Sequence, residues 1–294
     1  MRTITTARSR LALLLVASFA FTGALGAQGL SYDMSTTGSG PDRSGNVTTR
    51  NFMVGHGQFA GGNSRIDVSE SLAPGGMMGA GTYMITSSSK GTVTSVDPAK
   101  HQYTVIDIAE LGKTAADLQA AMGGIAKTEI ADIKVAMEDL GPGEPLDGYA
   151  TYKYRLTQAF TMNMTIMGHT ISTPSLSTTD IWVAPQLDGI MDPSARPTFT
   201  TPTGPMAELT KQLMTAYGKM RKGLMLKRVT TSEGGTGDHK HTTTMTTTIT
   251  NVKKSPISAS VFEVPAGYAK VALMDAVGAS AQAQAAAARA HKPE

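Results

Sequence analysis

The side chains of this chain best suited to holding another molecule are its methionines, 18 of them against eight tyrosines, seven phenylalanines and a single tryptophan. Methionine is unbranched and polarizable. A methionine-lined groove can therefore accept varied apolar ligands, although the same property lets methionine fill an irregular core. Their spacing says where to look. From Tyr152 to Ile166 the apolar residues Tyr152, Tyr154, Leu156, Phe160, Met162, Met164 and Ile166 take even numbers, while Lys153, Arg155, Thr157, Thr161, Asn163 and Thr165 take odd ones. A period of two sustained over that length predicts a long strand with one apolar and one polar face. Gly168-His169 offers a turn, and Thr170 to Ala184 runs back past Trp182. A second set, Met206, Leu209, Leu213, Tyr217 and Met220, repeats at helical spacing over 206–222. The candidate hydrophobic lining is therefore Tyr152, Tyr154, Leu156, Phe160, Met162, Met164, Trp182, Met206, Leu213, Tyr217 and Met220, with Met214 beside them. The alternative use of the same residues is an ordinary core.

Thioether and imidazole groups also ligate copper, and Met162, Met164, Met167 and His169 lie close in sequence, with His239 and His241 on a later stretch. On a strand His239 and His241 share a face, but Met167 has the parity opposite to Met162 and Met164, which splits the set between faces. A solvated hairpin shoulder accounts for the histidine pair equally well, and no metal is assigned. Thr242 to Thr250 alternates as a half-buried strand with a wet threonine face.

Catalytic patterns are missing from the sequence. Asp67, Asp97, Asp107 and Asp180 flank predicted strands, yet no pair has a spacing that enforces two-carboxylate chemistry. No Gly-x-Ser-x-Gly, His-Glu-x-x-His or phosphate loop occurs. Asp97-Pro98 and Asp147-Gly148 read as turns. The expectation is a non-enzymatic protein without a cofactor.

The elements that must position these residues are mostly short strands. Leu30 to Met34, Val47 to Val54, Ser64 to Val68, Tyr83 to Thr86, Gly91 to Val96 and Gln102 to Ile108 read as strands. Between them lie turn-forming stretches at Thr37 to Asn46, Gly55 to Gly57, Gly61 to Asn63 and Leu72 to Gly81. Ala109 to Met122 switches to helical spacing and stops at Gly123-Gly124. Ile125 to Leu140, Leu224 to Thr231 and Lys240 to Val252 return to strands, the last two joined by a turn over 232–239, and 188–205 reads as a proline- and threonine-rich crossing loop.

At the start, Arg2, Arg8 and Arg10 precede the apolar run Leu11 to Phe21 and the small residues Ala24-Leu25-Gly26. This predicts a signal peptide over 1–26, a single domain over 27–274 and an alanine-rich flexible tail over 275–294. The apolar run is too short to span a bilayer, and no later run is long enough. Loss of residues 1–26 would remove three arginines and no acid, leaving 23 basic and 23 acidic residues, so the charge gives no argument for a nucleic-acid partner. The chain has no cysteine, which excludes disulfides, thiolate catalysis and a lipid-modified cysteine. The expected address is a bacterial periplasm or beyond, in soluble form.

Five short motifs, taken in order, carry a resemblance. They are Ser64-Arg65-Ile66-Asp67-Val68; Val96-Asp97-Pro98 ahead of Gln102-Tyr103-Thr104-Val105; Leu146-Asp147-Gly148-Tyr149 leading into Tyr152-Lys153-Tyr154; Asp180-Ile181-Trp182-Val183-Ala184; and Phe262 to Tyr268. The string resembles a family of exported bacterial domains of unknown function, distantly similar to periplasmic lipoprotein carriers and outer-membrane lipoprotein receptors. The resemblance implies an α+β fold, mainly antiparallel β, built as an open (unclosed) β-barrel with helices on the concave side, and a cavity that takes a lipid or acyl chain. The alternatives are a structural or envelope-stress protein with a filled core and, more remotely, a metal-binding module.

Overall fold

The computed structural model describes residues 27–41, 45–72, 78–110, 113, 126–187, 206–234, 241–276 and 278. The expected signal peptide, the crossing loop 188–205, His239, most of the helix expected over 109–122 and nearly all of the alanine-rich tail lie outside them.

Among the described residues twelve strands make one sheet. They are β1 (Ala27–Pro41), β2 (Val47–Ala60), β3 (Asn63–Ser71), β4 (Tyr83–Ser87), β5 (Thr92–Asp97) and β6 (Gln102–Asp107), then β7 (Ala126–Pro142), β8 (Tyr152–Ile166), β9 (His169–Ala184), β10 (Leu224–Gly234), β11 (His241–Ile257) and β12 (Ala269–Lys270). Their order across the sheet is β12-β6-β5-β4-β3-β2-β1-β11-β10-β9-β8-β7, so the first and last long strands of the chain meet in the middle. Every neighbouring pair is antiparallel except β12 on β6. β7 and β12 are the two free edges and do not pair, so the sheet is open rather than a closed barrel. Among the described residues one α-helix of length stands beside it, α1 (Ala207–Tyr217). It packs on β7.

Three strand limits differ from expectation. Thr37 to Pro41, rich in turn formers, continues β1, because Thr37 to Pro41 pair with Val47 to Asn51 and the chain reverses only after Pro41. Gly55-His56-Gly57 does not interrupt β2: these residues face Met34, Asp33 and Tyr32 in register. In the last hairpin the expected turn at Ser232 begins only after Gly234, since Ser232 to Gly234 pair with His241 to Thr243. In each case cross-strand pairing outweighs local turn preference.

The core falls into three clusters. Leu30, Tyr32, Met34, Leu224, Leu226 and Ile249 form the central one. Tyr154, Ile181, Val183 and Met225 form a second, on which Tyr217 and Met220 close from the end of α1. Tyr83, Ile85 and Val96 form a third, covered by Phe262, Val264 and Tyr268 from the C-terminal segment.

The sheet does not end level. The last pair between β10 and β9 joins Glu233 to Leu176. Beyond it β8 and β9 stay paired with each other to Ile166 and His169, and β7 follows to Ala126. Among the described residues a three-stranded finger therefore projects past the rest of the sheet by about seven residues, or 23 Å at the usual strand rise.

Candidate functional site

The hairpin β8–β9 that carries most of the candidate lining is split by its surroundings. Residues opposite one another in register share a face. Tyr152 faces Val183, Tyr154 faces Ile181 and Leu156 faces Thr179, and this inner half is closed. Tyr154 is only 2% exposed and Leu156 is buried. The end of α1 supplies the cover: the backbone N–H of Arg221 donates to the Tyr154 hydroxyl at 3.3 Å, and the Arg221 guanidinium lies 3.5 Å from the centre of the Tyr152 ring. Leu213 is half-buried, and burial pushes the Tyr217 hydroxyl above its ordinary pKa. Met206 and Met214 point to solvent, since α1 buries Leu209, Thr210 and Ala216 instead.

The outer half is open. Phe160 and Met162 are half-buried, Met164 is 37% exposed and Ile171, its cross-strand partner, is 61% exposed. On the same face lie Ile130, opposite Met162, and Ile166. The other face of the finger is polar, with hydrogen bonds between Thr165 and Thr170 and from Ser172 to Asn163. Met167 occupies the turn at φ +50 and is 80% exposed.

Trp182 does not join the others. Register sets it opposite Lys153 on β8 and Lys227 on β10, on the face away from Tyr154 and Ile181. It is buried by charge: the two ammonium groups lie 4.6 and 4.7 Å from its ring centre. Lys153 donates to Asp180 at 2.8 Å, and Arg155 grips the same carboxylate at 2.7 and 2.9 Å. The Arg155 hydrogen bonds, with Lys153 behind them, hold the Asp180 carboxyl below its ordinary range. Lys227 donates to Glu144 at 2.8 Å, which lowers the Glu144 pKa as well. A Cβ at Gly143 would press on the Thr151 hydroxyl and the indole, so the loop crosses Trp182 only with glycine there.

Of the four carboxylates considered for catalysis, each has a structural partner. Asp180 is held as above, Asp67 takes three hydrogen bonds from Arg65, Asp97 receives Lys100, and Asp107 caps the backbone N–H groups of Ala109 and Glu110. Asp147, read as turn chemistry alone, does more. Its carboxylate accepts the backbone N–H groups of Asn251 and Val252, at 3.0 and 2.7 Å, where β11 bulges opposite β1.

Register also assembles groups that sequence spacing did not suggest. Asp33, His56, Asp67 and Tyr83 follow one another across β1 to β4. Asp33 accepts His56 Nδ1 at 2.9 Å and Asn251 Nδ2 at 2.7 Å, and those two bonds, His56 first, depress its pKa. Arg65 lies 3.7 Å over the Tyr83 ring, and burial raises the Tyr83 pKa. The Tyr83 hydroxyl has no hydrogen-bond partner among the described residues. These residues border a cavity of about 530 Å³. A cavity of about 580 Å³ adjoins the base of the finger between Phe160, Leu176 and His241, and another, about 790 Å³, lies toward the Pro41 end of β1 against Phe52 and Met245. Among the described residues no group of three His, Cys, Asp or Glu side chains is placed to hold a metal. No helix among them is long and apolar enough to cross a membrane.

Fold and site together define a mainly antiparallel, open-sheet protein with one closed and one uncovered stretch of apolar face. No protein-family model matches the chain, and no curated protein sequence matches it. Two solved structures are similar to it, both at 7% identity: the complex of Pseudomonas aeruginosa MucA and MucB, and MucB in complex with a periplasmic part of MucA. They cover 77% and 78% of this chain and 94% of each of theirs, with TM-scores of 0.17 and 0.16. Likeness at that level carries no argument about fold or function.

Proposed function

We propose that this is an exported, non-enzymatic binding protein for a lipid, acyl chain or similar hydrophobic ligand, of the lipoprotein-carrier type its sequence resembles, and that the ligand lies on the uncovered outer part of the sheet. One observation carries the reading. Exposed apolar side chains gather on the projecting finger, Met164, Ile166, Met167 and Ile171, while Phe52 and Met245 are exposed separately beside β1, in a row that register continues to Thr230 and Thr179 rather than to Ile171. Monomeric proteins seldom leave such residues together without a partner for them. The outer part is preferred to the inner half of the hairpin because Tyr217 and Met220 pack against Tyr154, Ile181 and Val183 there.

Titration with an environment-sensitive apolar dye tests the reading. The expected result is saturable, stoichiometric binding displaced by a fatty acid and weakened by Met164→Lys combined with Ile171→Lys or by Phe52→Asp. Absence of saturable binding by the intact protein would sink it. A structural protein with a filled core is the second reading, favoured by the closed inner half, and it predicts that negative result.

A further inference from the structure

The finger is set apart by its charge as well as by its exposure. From Leu156 to Thr179 the chain runs 24 residues without an aspartate, glutamate, lysine or arginine, although such residues make up 17% of the whole. His169 is the one ionisable side chain in the stretch. On β7 beside it, Lys127 and Glu129 pair with each other at 3.2 Å. The end of the finger is therefore electrically neutral. A projecting strand in water is normally given charge to keep it from associating, so its neutrality here calls for a reason.

The turn at the tip is built at a backbone cost. Met167 and Gly168, between the paired Ile166 and His169, both have positive φ, +50 and +83. In a two-residue hairpin turn of that kind asparagine, aspartate or glycine is the ordinary first residue. Methionine adopts the conformation less readily, yet it sets a largely exposed apolar side chain at the tip. Ile166 stands beside it, and the cross-strand pair Met164 and Ile171 follows two residues down, about 7 Å. That spread matches the depth of about 5–10 Å to which peripheral segments enter the boundary between lipid head groups and acyl chains.

Polar side chains at the tip are already matched. Thr165 and Thr170 share a hydrogen bond at 2.8 Å and Ser172 donates to Asn163 at 2.7 Å, which lowers the cost of taking them out of water. A second protein surface is the poorer fit. Three strands, about 14 by 23 Å, offer about 320 Å² on one face, and two such faces together fall well short of the roughly 1,200 Å² of a stable interface. A bilayer sets no such minimum, since each apolar group gains singly by leaving water.

We infer that the finger tip is a membrane-docking site. Met167 and Ile166 enter first and Met164 and Ile171 follow, and the surface they enter is a bilayer, with no need of anionic head groups. The inference rests on the hydrophobic-ligand reading of this face and adds where that ligand is met.

Flotation of the exported protein with vesicles of phosphatidylcholine, with and without added phosphatidylglycerol, tests it. Because the chain has no cysteine, Met167→Cys takes a single environment-sensitive label, and Lys90→Cys, on the exposed turn between β4 and β5, serves as control. The protein should float with both kinds of vesicle to about the same extent, and the label should brighten at 167 and not at 90. Met167→Asn suits the turn and so spares the fold; it should weaken partition about tenfold, the scale of one buried methionine side chain. Met164→Lys combined with Ile171→Lys should abolish it. Failure to float, flotation that requires the anionic lipid, an equal response of the two labels, or indifference to Met167→Asn would each overturn the inference. A dimer in solution that Ile171→Lys dissociates would give the face to a second copy and overturn it as well. If the apolar dye still binds while vesicles do not, the docking site falls and the ligand reading stands; if neither binds, both fall.

Discussion

Leu156 and Met162 come from the same alternating run, six residues apart, and have opposite fates. Leu156 is buried, and Leu156→Ala should cost about 2–4 kcal/mol by cavity formation, read as a lower urea midpoint. Tyr154→Phe removes one hydrogen bond to the Arg221 backbone and should cost about 1 kcal/mol. Met162→Ala, on the half-open finger, should cost clearly less than Leu156→Ala. Asp180 adds a pH signature. Its folded pKa lies below the ordinary value of 3.8, so the stability it lends is fully present above that value and disappears as pH falls through the folded pKa. Asp180→Asn should therefore destabilise the protein by about 1 kcal/mol near neutrality, given the partial exposure of its partners. That difference should shrink toward zero in urea melts taken as pH drops to about 2. A difference that persists in acid would remove the carboxylate from the account.

At the scale of elements, the hairpin was plain from its period of two, and its pairing and turn follow the sequence closely. The burial boundary across it was not plain. Alternation says which residues share a face but not how far the neighbouring strand extends, and β10 stops at Gly234 while β9 begins at His169. Trp182 shows the same limit: its apolar character suggested the lining, while its register set it among lysines. The full length of β1 was hidden for a related reason, since Gly38 and Gly40 sit in a segment whose turn formers outvote its strand character when read alone. Native-state hydrogen exchange should resolve the finger from its base. Amides of residues 169–175, with no β10 pairing among the described residues, should exchange well before those of residues 177–183, which are flanked on both sides. Equal protection along β9 would mean that the finger is covered.

For the whole molecule, the sequence spoke well for a mainly antiparallel sheet, because strand signals recur along it and the helical spacing is confined to two stretches. It could not give the strand order. The pairing of β1 with β11 joins residues more than two hundred positions apart, and nothing in a local pattern encodes such a partner. That pairing is locked by Asp147, whose carboxylate collects two N–H groups at the β11 bulge from a loop attached to the far edge of the sheet. Asp147→Ala should leave both donors wanting an acceptor and lower stability by about 1–2 kcal/mol, whereas Asp147→Glu should restore little, since the longer side chain misplaces the acceptor.

An unclosed sheet of twelve strands would be expected to seed fibrils, since each flank offers a ladder of unmet donors and acceptors. Here one flank is the two-residue β12. The other, β7, breaks register twice along its length and carries Lys127, Glu129, Lys134 and Glu138. A thirteenth strand has nowhere straight and uncharged to begin. The protein can thus keep an oily end uncovered in a crowded compartment without stacking upon its own copies.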